Sequence, residues 1–568
     1  MRTEKDGISV RAIAGTHGVL FGMDATEAAR AGLLGFALGR RDPAGEVRWL
    51  RGFKFFRDTV PDPQPGERRS TRDHPVQDFQ WGDWSREPGT VVDHVIQPLY
   101  GTPSDLRPGP MLELRVPTMA ADADHAVFYN RGAIPSQAFA DRFGNVGPSP
   151  EEQDDPTNDK VRWLSRGLLE AALGFIGTAG PRHELRVAAY EFTYGPIARA
   201  LRAAAGRGAK VQIVHDIGDR RRDGTLVPSH TSAANAATIA AAGLDGAANV
   251  TVLGRSRYSS ITHNKFIVLL EDGHPAAVWT GSTNFTPSGF LGQSNLAHLI
   301  RSPALARAFS AYWDLLAADL DTRTMKRRVA ELSPEPPAPL PEDAMIPIFS
   351  PRPKGMLDWY AAAMAQAHGS VMFTSAFGVA RDLAEVFARP GDHLRLILSE
   401  RAERDPEIWR LLTADADTRI ATGARLNAET IAAGLEGAAL DQWFRAEDHF
   451  RREGHIFYIH TKLMALDLMT DSPQIFTGSA NFSANSVESN DENMVLMRGP
   501  AFRAVAEVHA TEFMRLFNHL YFRTTAIRLA RSGRGNPERA AVLDPDDRWV
   551  ARHFREGGYH DRMRRLFR

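Results

Sequence analysis

The sequence predicts an α/β protein: two like repeats form a pseudo-two-fold unit, preceded by an N-terminal β-sandwich-like domain. Three observations predict it. The chain changes near residue 155 from short strands split by turns to alternating strands and helices. That alternation stops at a proline-rich stretch, Pro334 to Pro341, and then begins again. One polar pattern recurs in both runs at the same internal spacing, the mark of a duplicated unit. A chain of 568 residues is too long for one ordinary core and accommodates two or three domains.

Residues 1–150 are assigned to a β-sandwich-like accessory domain of immunoglobulin type. ISVRAIAG, GEVRWLRGFKFF, HVIQPLY and MLELRV alternate or run apolar at strand length, and DPAGE, PDPQPGE and GDWSREPG punctuate them. ATEAARAGLLGFALG reads as a helical interruption. No catalytic constellation falls here, so the expected role is structural or targeting.

Residues 151–333 form the first repeat. VRWLSRGLLEAALGFI reads as one amphipathic helix, followed by the strand ELRVAAYEFT, the helix IARALRAAAGRG, the strand KVQIVHD and the helix HTSAANAATIAAAGL. VTVLG, NKFIVLL and AAVWTG are further strands. Residues 334–342 are a spacer stiffened by proline. Residues 343–530 repeat the rhythm from MLDWYAAAMAQAHG to QIFTGSAN, and 531–568 are a basic extension. The βαβ rhythm predicts a mainly parallel sheet with helices on both faces.

Composition narrows the chemistry. The chain has no cysteine, which excludes disulfides, thiolate metal sites and cysteine nucleophiles. A net charge of −1 provides no global field for nucleic acid or acidic lipid, so an anionic substrate needs a local patch. No run approaches the roughly 18 apolar residues of a membrane-spanning helix. The start, MRTEKDGISV, lacks the apolar core of a secretory signal; a cytoplasmic protein without stable membrane insertion is expected.

The repeat is sharpest at THNKFIVLLEDGHPAAVWTGSTNF and IHTKLMALDLMTDSPQIFTGSANF. His263, Lys265, Gly281, Ser282, Asn284 and Phe285 precede His460, Lys462, Gly478, Ser479, Asn481 and Phe482 by 197 positions each, in the pattern H-x-K-x15-G-S-x-N-F. The chain holds only eight lysines, and two of them fall at matching places. Residues two apart on a strand share a face, so each histidine projects beside its lysine. Asn284 and Asn481 can donate to an oxyanion. Facing each other, the two motifs make an anion cradle holding a nucleophile and an acid, suited to displacement at phosphorus. Polar surface strands and a metal site are the competing readings. A protonated lysine at each i+2 position argues against metal, and no cofactor is expected.

These residues resemble the phospholipase D superfamily, whose signature is H-x-K-x4-D followed by G-S-x-N, over about residues 155–530. The second copy fits throughout: His460, Lys462, Asp467, Gly478, Ser479 and Asn481, with the downstream N-x-E-N at Asn490, Asp491, Glu492 and Asn493. In the first copy Leu270 stands at the aspartate position and Asn295 at the position matching Glu492. The resemblance implies two phospholipase D-like repeats and a metal-independent route through a phosphohistidine. Catalytic roles fall on His263, Lys265, Asn284, His460, Lys462, Asn481 and Glu492. Ser282 and Ser479 would touch substrate, and Asp467 and Asn295 would give structural support. A carboxylate on Nδ1–H raises an imidazole's basicity. Pairing Glu492 with His460 and Asn295 with His263 therefore makes His460 the nucleophile and His263 the general acid.

For substrate, a nucleic-acid phosphodiester is favoured over a phospholipid, with a catalytically weak nucleic-acid-binding module as the third reading. The supports are the expected cytoplasmic location, the lack of a membrane-docking helix, the forms GSTNFT and GSANFS, and twelve arginines against six acidic residues over 523–568. The competing reading of that basic run is a solvated face of a closing helix. Oligomeric state and regulatory partners are left open.

Overall fold

The structure is a computed structural model and describes residues 1–568 except 64–66, 132–138, 140–141, 145, 223–224, 424–458 and 533–540. The first repeat is built on β1 (His125–Tyr129), β2 (His183–Ala189), β3 (Lys210–Asp216), β4 (Val250–Arg255), β5 (Lys265–Glu271), β6 (His274–Gly281) and β7 (Leu296–Ile300). They lie in the order β1-β7-β6-β5-β2-β3-β4. The second repeat uses β8 (Met345–Ser350), β9 (Ser370–Ser375), β10 (Leu394–Ser399), β11 (Thr418–Thr422), β12 (Leu463–Leu466), β13 (Gln474–Gly478) and β14 (Glu492–Arg498). Their order, β8-β14-β13-β12-β9-β10-β11, is the same path. β1, at residues 125–129, thus belongs to the first repeat's sheet although it precedes residue 150.

The sheets are mixed rather than mainly parallel. β2, β3 and β4 run parallel, while β1–β7, β7–β6, β6–β5 and β5–β2 pair antiparallel. The turn between β5 and β6 shows the reason. Asp272 and Gly273 take positive φ of 47° and 78°, the two-residue hairpin an Asp-Gly pair favours, and a hairpin makes its strands antiparallel.

Alternation along the strands separates two layers. Phe266, Val268 and Leu270 of β5 point into a central core, and Ile267 points into an outer one with Leu185 and Trp279. The central core contains residues of both sheets, of helix α1 (Pro303–Ala317) and of helix α2 (Arg503–Ser532), including Phe309, Trp313, Phe513 and Phe517. Each such side chain contributes about 1.5–3 kcal/mol on burial, so the repeats are held as one body. The expected single helix over 161–176 is two, Asp159–Ser165 and Leu168–Gly177. Arg166 and Gly167 take positive φ at the break. There the Arg166 guanidinium reaches Glu512 of α2 at 2.7 Å and the His17 carbonyl at 2.9 Å.

The N-terminal region is sandwich-like, with one sheet of four strands and one of five, the fifth being Leu112–Pro117, which pairs with Val91–Thr102. ATEAARAGLLGFALG is only briefly helical, at Glu27–Arg30; Leu33–Arg41 is a central strand. The C-terminal residues pack into this domain. Val542 bridges Phe55, the Trp549 indole donates to the Leu33 carbonyl at 2.8 Å, and Trp549 and Val550 join the sandwich core. Among the described residues no helix is long and apolar enough to cross a membrane.

Candidate active site

Two short parallel bridges tie the repeats together just before their histidines. Thr262 pairs with Asp491, and Ile459 with Ser294. The His263 N–H donates to the Asp491 carbonyl at 2.8 Å, and the His460 N–H to the Ser294 carbonyl at 3.2 Å. The bridge at Asp491 is locked by Arg255 at 2.9 Å, both side chains fully buried. Each histidine therefore sits on a backbone segment registered against the opposite repeat, His263 two residues before β5 and His460 three residues before β12.

That register sets the partners, and it reverses the expected pairing. The residue after Asp491 is Glu492, and its carboxylate meets Nδ1 of His263 at 3.0 Å from both oxygens. The residue after Ser294 is Asn295, and its Oδ1 meets Nδ1 of His460 at 2.9 Å. Glu492 and His460 belong to one repeat, yet each reaches across the pseudo-two-fold axis. In the strand edges this is unavoidable: a bridge at 262/491 places 263 opposite 492.

Asn295 is oriented by its own bonds, its amide donating to Gly289 O at 2.8 Å while Oδ1 accepts from Ser282 at 2.8 Å. An Oδ1 facing Nδ1 requires Nδ1–H on His460, and a carboxylate requires it on His263. With each Nδ1 engaged, Nε2 is the ring nitrogen through which either histidine would act on a substrate. Asn490 donates to Glu492 at 3.0 Å. Burial pushes Glu492 up to about 7, with Lys265 pulling the other way.

Lys265 and Lys462 each donate to the carbonyl of their own histidine, at 2.6 and 2.7 Å. Both are 1% exposed, and neither makes an ion pair with any described residue. Burial pushes Lys265 down to about 8 against the pull of Glu492 and Glu191. Burial and Lys265 hold Lys462 well below the usual lysine range. Burial, followed by repulsion from the same two ammonium groups, holds His263 and His460 well below the usual imidazole range. A buried ammonium out of direct contact with a counter-ion is costly, and two lysines that repel one another in this site define a place for an anion.

The G-S segments hold this arrangement from behind. A Cβ on Gly281 would lie 2.3 Å from the Leu296 carbonyl oxygen, and one on Gly478 would lie 2.2 Å from that of Asn493, so only glycine allows the strands to approach. Ser282 and Ser479, expected to touch substrate, are fully buried. The Ser282 hydroxyl holds Asn295, and that of Ser479 accepts from the Asn493 N–H at 2.9 Å; they position the partners of the histidines instead.

Asn284 donates to Glu191, and the Asn284 and Asn481 Oδ1 atoms are buried without a partner. Asp467 lies at the far end of β12, accepting from the Gly369 and Ser370 amides at 2.6 and 2.9 Å. Glu191 escaped the sequence reading because no motif marks it. It follows β2 by two residues, beside Tyr190, whose ring centroid is 5.1 Å from that of His263. Burial raises Glu191, against Lys265 and His230. Glu191 also lines a cavity of about 680 Å³ with Glu152, His230, Thr286 and Ser288, and among the described lining residues there is no lysine or arginine. Among the described residues, no group of three or more histidine, aspartate or glutamate side chains could hold a metal ion.

Residues 175–316 match the family model for the phospholipase D-like domain of cardiolipin synthase. This stretch, which carries His263, Lys265, Asn284 and Asn295, is a phospholipase D-like domain. Among solved structures the chain is similar to Nuc of Salmonella typhimurium, a phospholipase D family member, at 28% identity, covering 34% of this chain and 94% of that one with a TM-score of 0.22. It is similar to phosphatidylserine synthase of Haemophilus influenzae at 12% identity over 65% and 92%, TM-score 0.41. Yeast tyrosyl-DNA phosphodiesterase matches at 14% over 55% and 82%, TM-score 0.27. No curated protein matches by sequence.

Proposed function

We propose that this phospholipase D-like chain is a metal-independent phosphodiesterase that works through a phosphohistidine on His263. The observation that carries the reading is the pair of buried lysines, neither in direct ion-pair contact with a described residue, beside two imidazoles whose Nδ1 atoms are both engaged. A phosphodiester bound between Lys265 and Lys462 offsets their mutual repulsion, and the same negative charge raises the proton affinity of His460.

His263 has the stronger partner. Glu492 stabilises the charge that grows on the imidazole as Nε2 bonds to phosphorus, whereas neutral Asn295 leaves His460 freer to give up a proton. In the first step the His263–P bond forms, the P–O bond breaks, and the leaving oxygen takes the Nε2 proton of protonated His460. In the second, neutral His460 takes a proton from water, whose oxygen attacks phosphorus and releases His263. This assignment inverts the one drawn from sequence, because the carboxylate serves the opposite repeat.

The test uses bis(p-nitrophenyl) phosphate with EDTA present. Wild type is expected to turn over undiminished by the chelator. His460→Ala is expected to release one p-nitrophenolate per site and to hold an alkali-stable phosphoryl adduct on His263. An adduct on His460 in the His263→Ala protein, or turnover that zinc or magnesium restores after EDTA, would overturn the reading.

For the substrate we favour the end of a nucleic-acid strand. Among the described residues that line it, the cavity beside the cradle offers the carboxylates of Glu152 and Glu191 and no lysine or arginine, with Glu152 paired to Lys160 at 2.9 Å. A terminal nucleoside is uncharged and fits there, whereas an interior nucleotide would bring a further phosphate toward Glu191. The basic C-terminal run does not enter this argument: Arg562, Arg564, Arg565 and Arg568 are ion-paired with Asp392, Asp417, Asp24 and Asp561. The same carboxylates favour a second reading, a phospholipid with a cationic alcohol headgroup. Linear single-stranded DNA is expected to be trimmed while circular DNA resists; choline release from phosphatidylcholine with both DNAs intact would select the second reading.

A further inference from the structure

A second cavity, of about 480 Å³, lies where the N-terminal domain meets the first repeat and helix α2. It falls within the size range of small-molecule sites, about 300–1,000 Å³. Its wall is chemically one-sided. Lys54, Arg131 and Arg515 line it, with the indoles of Trp81, Trp84 and Trp163, and among the described lining residues there is no aspartate or glutamate, though Asp78 and Asp544 lie near enough to act on Lys54. Glu512 compensates Arg515 at 2.7 Å. Arg131 makes no ion pair with any described residue; it lies 4.3 Å from the centroid of the Trp163 ring, and its buried Nε has no acceptor. Gln80, 8% exposed, accepts from Asn518 at 2.9 Å and leaves its buried Nε2 without an acceptor.

Buried donors without acceptors are rare in folded proteins, and here two of them share the wall of a cationic, aromatic-lined cavity. We propose that this cavity is a binding site for a nucleoside monophosphate, its phosphate against Arg131 and Lys54, its base against the indoles with an acceptor edge toward Gln80. Cations supply the charge-assisted bonds a phosphate takes, and a planar base takes the aromatic faces.

The site is wired to the catalytic centre. Arg131 follows Asn130, whose carbonyl accepts from Arg515 at 3.1 Å. The Asn130 side chain accepts from the Asn295 N–H at 2.9 Å and donates to the Gln293 carbonyl at 2.8 Å, and Asn295 holds His460. A ligand drawing on Arg131 therefore bears on the residue that sets the orientation of His460. Only this link depends on the phosphodiesterase reading; the binding site does not.

The experiment titrates the full-length protein with 5′-AMP and follows tryptophan fluorescence, with inorganic phosphate as the charge-only probe. Saturable quenching by 5′-AMP is expected, with phosphate at least about tenfold weaker. Arg131→Gln and Lys54→Gln are each expected to weaken 5′-AMP by about tenfold, as loss of one charge-assisted bond does. Lys265→Ala, which dismantles the catalytic cradle, is expected to leave the quenching intact. No saturable quenching, or quenching lost in Lys265→Ala and kept in Lys54→Gln, would overturn the proposal. Bis(p-nitrophenyl) phosphate then reads the link: saturating 5′-AMP is expected to change kcat in wild type and not in Arg131→Gln. A change confined to KM would mean competition at the cradle and would overturn the link.

Discussion

The two halves of the catalytic centre share backbone register, glycines, lysines and asparagines, and differ in the groups around them. Glu492 serves His263 where Asn295 serves His460. By strand register Tyr190 and Glu191 after β2 correspond to Ala376 and Phe377 after β9, and Phe377 is 74% exposed. The carboxylates thus gather around His263 and Asn284. On the proposed reading, duplication supplies a symmetric frame for phosphate and a few side chains divide the labour within it, the imidazole backed by charge serving as nucleophile and the one held by a neutral amide passing protons.

The strongest way to break that contrast is to exchange its two defining residues. Glu492→Gln is expected to lower kcat by about 10²- to 10⁴-fold, the range seen when a base or its orienting carboxylate is lost. The double variant Glu492→Asn with Asn295→Asp should recover part of that rate and move the trapped phosphoryl group from His263 to His460. Mass spectrometry of alkali-quenched protein reads the outcome. A label that stays on His263 would show that something other than the carboxylate chooses the nucleophile.

A second contrast is structural. Arg255 and Asp491 form a fully buried pair across the repeats on the Glu492 side, whereas the bridge on the opposite side has Ser294 at the equivalent place. Arg255→Met leaves Asp491 buried without its cation, expected to cost about 3–5 kcal/mol of stability. Chemical denaturation measures it, and Arg255→Met with Asp491→Leu should restore most of the loss.

What could be read in the sequence follows from the range of each interaction. The H-x-K and G-S-x-N elements lie on adjacent strands of one hairpin, so their spacing alone brought His263, Lys265 and Asn284 to attention, and the second copy likewise. The partner of each histidine depends on which strand edge abuts which, a tertiary fact, and the reading paired Glu492 with the wrong imidazole. Glu191 has no motif and is recruited only by the turn after β2. Helix 161–176 breaks because Arg166 is drawn to Glu512, 346 positions away. The mixed sheet was legible in principle, in the Asp272-Gly273 turn, but the βαβ rhythm before it dominated the reading. The basic C-terminal run was read as support for nucleic acid, and four of its arginines, Arg562, Arg564, Arg565 and Arg568, are matched by Asp24, Asp392, Asp417 and Asp561.

The Asp467 side of the comparison is smaller. Its carboxylate accepts three amides, from His368, Gly369 and Ser370, at the end of the sheet away from His460, and Leu270 takes its place in the first repeat. Asp467→Asn keeps shape but loses charge-assisted acceptance, so about 1–3 kcal/mol of stability is expected to go with kcat nearly unchanged. A kcat falling in step with Glu492→Gln would place Asp467 in the reaction and undo the distinction between the two ends of the strand.

The gentlest probe is pH, because the contrast between the half-sites rests on ionisation. Glu492 is pushed up to about 7 by burial, so the carboxylate that backs His263 is present above pH 7 and lost as pH falls through it. Lys265 is pushed down to about 8 by burial, so its charge is present below pH 8 and lost above. The product of the two is a narrow optimum between about 7 and 8, with kcat/KM falling about tenfold per pH unit on each side. Bound phosphate shifts both groups, so kcat should show a broader plateau than kcat/KM, the lysine limb moving alkaline. Glu492→Gln has no group to titrate near pH 7. Its acidic limb is expected to vanish while the alkaline limb stays, and an acidic limb that persists in that variant would assign the proton to one of the imidazoles instead.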